Sequence, residues 1–235
     1  MIQTTQHTAI LLFTRSAKDE AKNKALAKRG SRNNVQVADL LIRHTKNKAE
    51  ATGLPVFVYQ GDLQKGDSFG DRLANGMETV LNLGYSAVIA IGNDCPHLTT
   101  KLLLKVDEQL RNQQIVLGPD LNNGVYLFGI QRSFFDKNAI AELAWQSTDL
   151  QKSLFHFTNS ALKGEKIVWL PVLGDLNSRK DLDHFLHYSS EHTLSILLLE
   201  LLKHTLQESE FSLPYQLSNA FAQRLCMRGP PVYFS

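Results

Sequence analysis

The chain is 235 residues long, 43% hydrophobic and 20% charged, with a formal net charge of +2. That length suffices for one large domain with a complete core, the composition excludes a disordered or fibrous chain, and the near-balanced charge gives no general affinity for nucleic acid, so any basic site must be local. Two cysteines, Cys95 and Cys226, exclude a disulfide framework and fit a reducing cytoplasm, Met1 to Thr8 lacks the apolar core of a signal peptide, and Leu194 to Leu202, interrupted by Glu200, is far shorter than the roughly 20 residues that span a membrane.

In chain order, Ala9 to Phe13 is an apolar run that predicts a strand, and a charged segment follows from Arg15 to Arg32. Val37, Leu40, Leu41 and His44 recur at helical spacing until Gly53 stops the element, and Leu54 to Tyr59 reads as a second strand. Leu73, Met77, Val80 and Leu81 share one face of a helix ending near Gly84. The unbroken apolar run from Val88 to Ile91 suits a strand covered on both faces, which Gly92 and Pro96 then turn out of the sheet. Leu103, Val106 and Leu110 mark the next helix. Ile115 to Leu117 and Val125 to Ile130 are two further strands, with Gly118-Pro119 and Asn122-Asn123-Gly124 in the loop between them. Helices are predicted from Leu150 to Leu162 and from Arg179 to Tyr188, separated by a strand from Lys166 to Leu170. This alternation implies a three-layer α/β/α sandwich around a mainly parallel sheet.

One domain is expected over residues 8–190, with an appended element over 191–235. In the appendage Leu194, Leu197, Leu198, Leu201 and Leu202 form a helical stripe, while Ile196 and Leu199 make the opposite side apolar too. Such a helix must be buried, against its own domain or in a homodimer contact. Arg228 to Ser235, with Gly229-Pro230-Pro231, reads as an irregular tail.

Open α/β sheets bind ligands beyond the carboxyl ends of their strands. Four loops gather there. The first carries Arg15, Lys18, Lys22, Lys24, Lys28 and Arg29, cations able to cradle phosphates or, with Asp19 and Glu20 among them, to form a solvated helix face. The second runs from Gly61 to Leu73. In it Ser68 or Asp71 can cap the following helix, and Arg72 sits in the first turn, where a cation is poorly placed unless an anion lies nearby. A salt bridge to Asp71, Asp67 or Glu78 explains Arg72 equally well. The third holds Asp94, which either faces the ligand cleft, where a carboxylate can hold a divalent metal against a diphosphate, or caps the helix beginning near Thr99. The fourth offers Asp120 as a further oxygen ligand and Asn122 and Asn123 as hydrogen-bonding partners for a hydroxylated ligand, or simply as turn formers. Asp175 and Asn177 follow the last strand. Trp145 and Trp169 read as core residues, although Trp145, ahead of Gln146-Ser147-Thr148, can also floor a sugar pocket.

Five segments in this order, Phe13-Thr14-Arg15, GDSFGDRLANGM (66–77), IGNDCPHLT (91–99), LGPDLNNGVYLFGI (117–130) and GDLNSRKDL (174–182), resemble a bacterial family of GT-A-like transferases known as selenodomain-associated transferases or glycosyltransferases. The resemblance covers roughly residues 8 to 188. It implies a Rossmann-like nucleotide-diphospho-sugar transferase fold, with Asp94 at the metal and diphosphate position and Arg15 and Arg72 at its basic nucleotide-side positions; Thr14, Lys22 and Lys24 are further nucleotide-side candidates, the two lysines as loose substitutes for the family's basic loop. It also implies a magnesium or manganese ion. The partners implied are a nucleotide-sugar donor and a small-molecule acceptor; from the residues themselves, Asp120 or Asp175 is a candidate acceptor base, and Asn122, Asn123 and Trp145 are candidates for the acceptor or sugar pocket.

This chain departs from the family pattern at three places. The glycine and lysine-threonine-arginine loop after the first strand is absent. Asn122-Asn123-Gly124-Val125 stands where the family has Asp-Gly-Gly-Tyr, and Asp175-Leu176-Asn177 replaces an Asp-x-Asp pattern. An amide cannot take a proton at neutral pH, so a base role at position 122 is lost. The reading is therefore a glycosyl transferase on this fold. A weakly active or inactive nucleotide-sugar-binding protein and a sugar-phosphate nucleotidyltransferase are the alternatives.

Overall fold

The computed structural model describes residues 8–27, 31–112, 115–162 and 167–206, the last three residues of the third and fourth stretches by backbone alone. Lys28, Arg29, Cys226 and the tail at 228–235 lie outside the described residues. Six strands, β1 (Thr8–Phe13), β2 (Val56–Tyr59), β3 (Ala87–Ile91), β4 (Ile115–Pro119), β5 (Val125–Gln131) and β6 (Ile167–Trp169), form one sheet in the order β2-β1-β3-β5-β4-β6. Only β5 runs against its neighbours. The reversal has a local cause: β4 and β5 are joined by five residues, Asp120 to Gly124, and a parallel crossover needs a dozen or more. Gly118-Pro119, expected in that loop, instead closes β4 with a register shift.

The unbroken apolar runs of β1 and β3 are explained by cover on both faces. Ala9 and Leu11 point to one core and Ile10 and Leu12 to the other, all 0% exposed. The first core is closed by α3 (Phe69–Asn82), α5 (Lys137–Ala141) and α6 (Leu150–Leu162), through residues such as Leu73, Met77, Ile140 and Leu154. The second is closed by α4 (Thr100–Asn112) through Leu103, Val106 and Leu110, with Ala49 of α2 (Arg32–Glu50). These are the three layers that the alternation implies. Two short helices were not marked by the apolar pattern: α1 (Ala17–Asn23), inside the charged segment, and α5.

A third cluster joins α2 to α7 (Arg179–Tyr188) and α8 (His192–Leu206) through Val37, Leu41, Leu182, Phe185, Leu194, Leu198 and Leu202. The apolar helix expected in the appendage packs against α2 and α7 of its own chain, while Ile196 and, against the expected stripe, Leu197 remain exposed. Trp169 is not a core residue: β6 is an edge strand paired only with β4, and the indole is 47% exposed. Among the described residues no helix is long and apolar enough to cross a membrane.

Candidate functional site

A cavity of about 490 Å3 opens beyond the carboxyl ends of β1 and β3, the point where the strand order reverses and the chain leaves for opposite edges of the sheet. From the nucleotide-side expectations it is lined by Thr14, Arg15, Lys24 and Arg72; from the rest by Asp94, Asp120, Asn122, Trp145 and Asp175. Lys22 and Asn123 are not among its walls. Lys22 is exposed on α1 and pairs with Asp19 at 2.7 Å, and Asn123 is an exposed turn residue with φ of 65°.

The cationic wall is built by the end of α1. Ser16 caps that helix by accepting the Asp19 N–H at 3.2 Å, and Lys24 follows its last turn in extended backbone. From there its ammonium turns inward, 2.8 Å from Asp94 Oδ2 and 3.1 Å from Glu20 Oε1. Glu20, 4% exposed, lies 3.6 Å from Arg15, so Arg15, Glu20, Lys24 and Asp94 form a row of alternating charge. Burial works against the charge on Lys24, but the carboxylates of Asp94 and Glu20 outweigh it and hold its pKa above the ordinary lysine value. Asn34, 1% exposed in the first turn of α2, fixes the segment that carries this lysine. Its Oδ1 accepts the Ala27 N–H at 2.8 Å, and its amide donates to the carbonyls of Ala21 and Lys24 at 2.7 and 2.8 Å.

Opposite, Ser68 and Asp71 cap α3 reciprocally. Arg72 behind them forms no ion pair among the described residues. Its guanidinium donates to the carbonyls of Asp67 and Gly66 at 3.0 and 3.3 Å. A cation beside the positive end of a helix is held by carbonyls rather than by an ion pair, which leaves it suited to an anion in the cavity. Gln64, which the sequence pattern did not single out, braces this corner by donating to the carbonyls of Thr14 and Tyr59, each at 2.8 Å. The Thr14 hydroxyl is spent on Asn93 Oδ1 at 2.9 Å.

On the acidic side, Asp94 faces the cavity with 31% of its side chain exposed, and it is Thr99 that caps α4 by accepting the Leu102 N–H. Asp120 shapes its own loop: Oδ1 accepts the N–H groups of Asn122 and Gly124, both at 2.7 Å. The Asn122 side chain donates to Asp175 Oδ1 at 2.7 Å, and the amide of Asn177 donates to the other oxygen. The amides of Asn122 and Asn177 therefore hold a carboxylate. Burial, reinforced by the charges of Asp120 and Asp94, raises the pKa of Asp175. A carboxyl raised in the folded state disfavours folding once it ionises: the penalty is absent below the unfolded value near 3.8 and complete above the folded one. Asp175→Asn removes that penalty but sets an NH2 group against one of the two donating amides, so the two effects offset and its melting temperature at pH 7 is expected within roughly 1–3 °C of the parent, the scale a fraction of a kcal/mol sets in a chain this long. Relative to the parent it should fall towards about pH 3.5, where the penalty is absent, as melting curves at the two pH values would show.

A divalent ion at Asp94 was expected, and the donor set does not fit one built by the protein. One oxygen of Asp94 is held by an ammonium, Asp120 closes its loop, and both oxygens of Asp175 accept from amides. Among the described residues no three His, Cys, Asp or Glu side chains converge as ligands. Nor is Cys95 a nucleophile: burial pushes its thiol up to about 12.

The floor is aromatic. Trp145, half-buried, lies against Phe69 (centroids 5.6 Å apart) and Phe128 (6.1 Å), and Phe69 meets Phe13 edge-on at 5.5 Å. The indole N–H donates to the Ile140 carbonyl at 2.7 Å, which fixes the ring face. Gly70 makes this packing possible, since a Cβ there would collide with the Ala141 carbonyl and come 2.8 Å from the Trp145 ring.

A family described as an uncharacterized protein conserved in bacteria (DUF2064) matches residues 3–147. The chain belongs to that family. No curated protein matches it. Among solved structures, this DUF2064 chain is similar to a protein of Desulfovibrio desulfuricans G20 named provisionally as a nucleotide-diphospho-sugar transferase. That pair has a TM-score of 0.74 and 18% identity, covering 85% of this chain and 98% of the other. The likeness establishes the nucleotide-diphospho-sugar transferase fold. Rv0371C of Mycobacterium tuberculosis H37Rv, solved with manganese, reaches a TM-score of 0.45 at 16% identity over 78% of this chain and 99% of the other. A 4-diphosphocytidyl-2C-methyl-D-erythritol synthase of Anaerococcus prevotii DSM 20548 reaches 0.42 at 12% identity over 74% and 95%. At those scores neither carries an argument about this DUF2064 chain.

Proposed function

We propose that this protein binds a nucleotide-diphosphate sugar in the cavity and transfers the sugar to a hydroxyl group of a small-molecule acceptor. The observation that carries the reading is that Arg15, Lys24 and Arg72, an aromatic floor at Trp145, and Asp175 all line one cavity at the switch point of the sheet. In the reaction an acceptor oxygen bonds to the anomeric carbon while the bond from that carbon to the diphosphate oxygen breaks. The electron pair leaves with the diphosphate, where the cations stabilise it. The acceptor proton passes to Asp175, whose raised pKa makes it a better base than an ordinary carboxylate. The reaction needs no magnesium or manganese at Asp94, because Lys24 holds the carboxylate expected to bind it.

A second reading, binding without transfer, is favoured by one observation: both Asp175 oxygens already accept from amides. A screen of UDP-, GDP-, CDP- and dTDP-sugars by thermal stabilisation tests donor binding, and release of the nucleoside diphosphate with candidate acceptors tests transfer. Arg72→Ala should weaken donor binding about tenfold to a hundredfold, the range for one charged hydrogen-bonded contact. Stabilisation by none of these donors would sink both readings.

A further inference from the structure

We infer that the ammonium of Lys24 serves this site as its built-in cation, so that a diphosphate binds beside Asp94 without any divalent metal. The inference rests on the nucleotide-sugar reading and goes beyond it. An ammonium has three protons to donate. Two of those on Lys24 are taken by Asp94 Oδ2 at 2.8 Å and Glu20 Oε1 at 3.1 Å; the third has no partner among the described residues, and the lysine lines the cavity. The side chain is only 12% exposed, and Asn34 pins the carbonyl of the same residue. This is a preorganised donor rather than a surface lysine that happens to be near.

The local charge agrees. Arg15, Glu20, Lys24 and Asp94 sum to zero, while the whole lining, with Arg72, Asp120 and Asp175, carries a net charge of minus one; a metal on Asp94 would face the ammonium across one carboxylate. A diphosphate meets donors: Arg15, Lys24 and Arg72 stand around the cavity, and Arg72 forms no ion pair among the described residues. The acidic-to-amide departures at Asn122 and Asn177 fit the same scheme. A site without a dication has less use for extra carboxylates, and these amides neutralise no charge but hold Asp175 by hydrogen bonds.

The test uses the full chain and three probes: UDP, GDP and inorganic pyrophosphate, each with EDTA and with manganese chloride, read as shifts in melting temperature. The expected result is stabilisation by at least one probe that is equal in EDTA and manganese. Lys24→Gln should reduce the apparent affinity at least tenfold, and Lys24→Arg should recover most of it. Stabilisation that requires manganese overturns the inference while leaving the nucleotide-sugar reading intact, as does undiminished binding by Lys24→Gln. No stabilisation by any probe under either condition overturns both. If Lys24→Gln fails to fold, the comparison of EDTA with manganese on the unaltered protein still decides.

Discussion

Asn34→Ala should lower the stability of the fold by about 3–4 kcal/mol and its melting temperature by roughly 10 °C, although Asn34 touches no ligand. The side chain is 1% exposed and satisfies three main-chain groups at once, the N–H of Ala27 and the carbonyls of Ala21 and Lys24. Alanine would leave all three without their partner in a place water cannot easily reach. The loss is felt beyond stability, because the strip of chain released is the one that holds Lys24 against Asp94. Asn34→Asp would keep an acceptor for Ala27 but lose both donors and bring a charge inside, so it should fall at least as far. Urea unfolding followed by circular dichroism measures the first effect, and diphosphate-dependent melting shifts measure the second. A loss below about 1 kcal/mol in Asn34→Ala would mean that the neighbouring backbone finds other partners.

Gly70→Ala is the second large expected effect, about 2–3 kcal/mol from one added methyl group. In most helices the same change stabilises, because alanine is the better helix former. Here the added carbon would run into the Ala141 carbonyl and the edge of the Trp145 ring. A carbonyl on a packed helix cannot yield as a flexible side chain does, so α3 and α5 would have to separate. Trp145 would then lose its fixed distance to Ile140, and with it the flat floor of the cavity. Donor binding should weaken together with stability in Gly70→Ala. A substitution at Gly84, with open space around its Cβ but a φ of 105°, should cost stability alone. Melting curves with and without a bound donor separate the two outcomes.

Much of this architecture could be read from the residues. Strands buried on both faces leave a run such as Ala87 to Ile91 no polar position to fill, and amphipathic helices announce their ends with Ser68 or Gly84. The direction of β5 could also have been read, from the five residues available for the return. What the pattern hid depends on contacts distant along the chain. Lys22 and Lys24 look alike in sequence; one projects from α1 into solvent, and the other leaves the helix and meets a carboxylate 70 positions away. Nothing local distinguishes them. Trp169 was misjudged because its strand is at the edge, and edge position is a property of sheet order rather than of side-chain type. Asn34 did leave a trace: it sits at the i, i+3, i+7 spacing of Val37 and Leu41, a polar residue on an otherwise apolar stripe. Such a residue calls for a reason, and here it is a splint for the neighbouring loop.

The chain's two tryptophans occupy opposite optical situations. Trp145 is half-buried with Phe69 and Phe128 against it and forms part of the proposed donor floor, while Trp169 stands in solvent on the far edge of the sheet. Fluorescence of the unlabelled protein therefore contains a reporter and its own reference: quenching or a blue shift on adding a nucleotide sugar would come from the first indole, and Trp169→Phe would leave that signal alone in the spectrum.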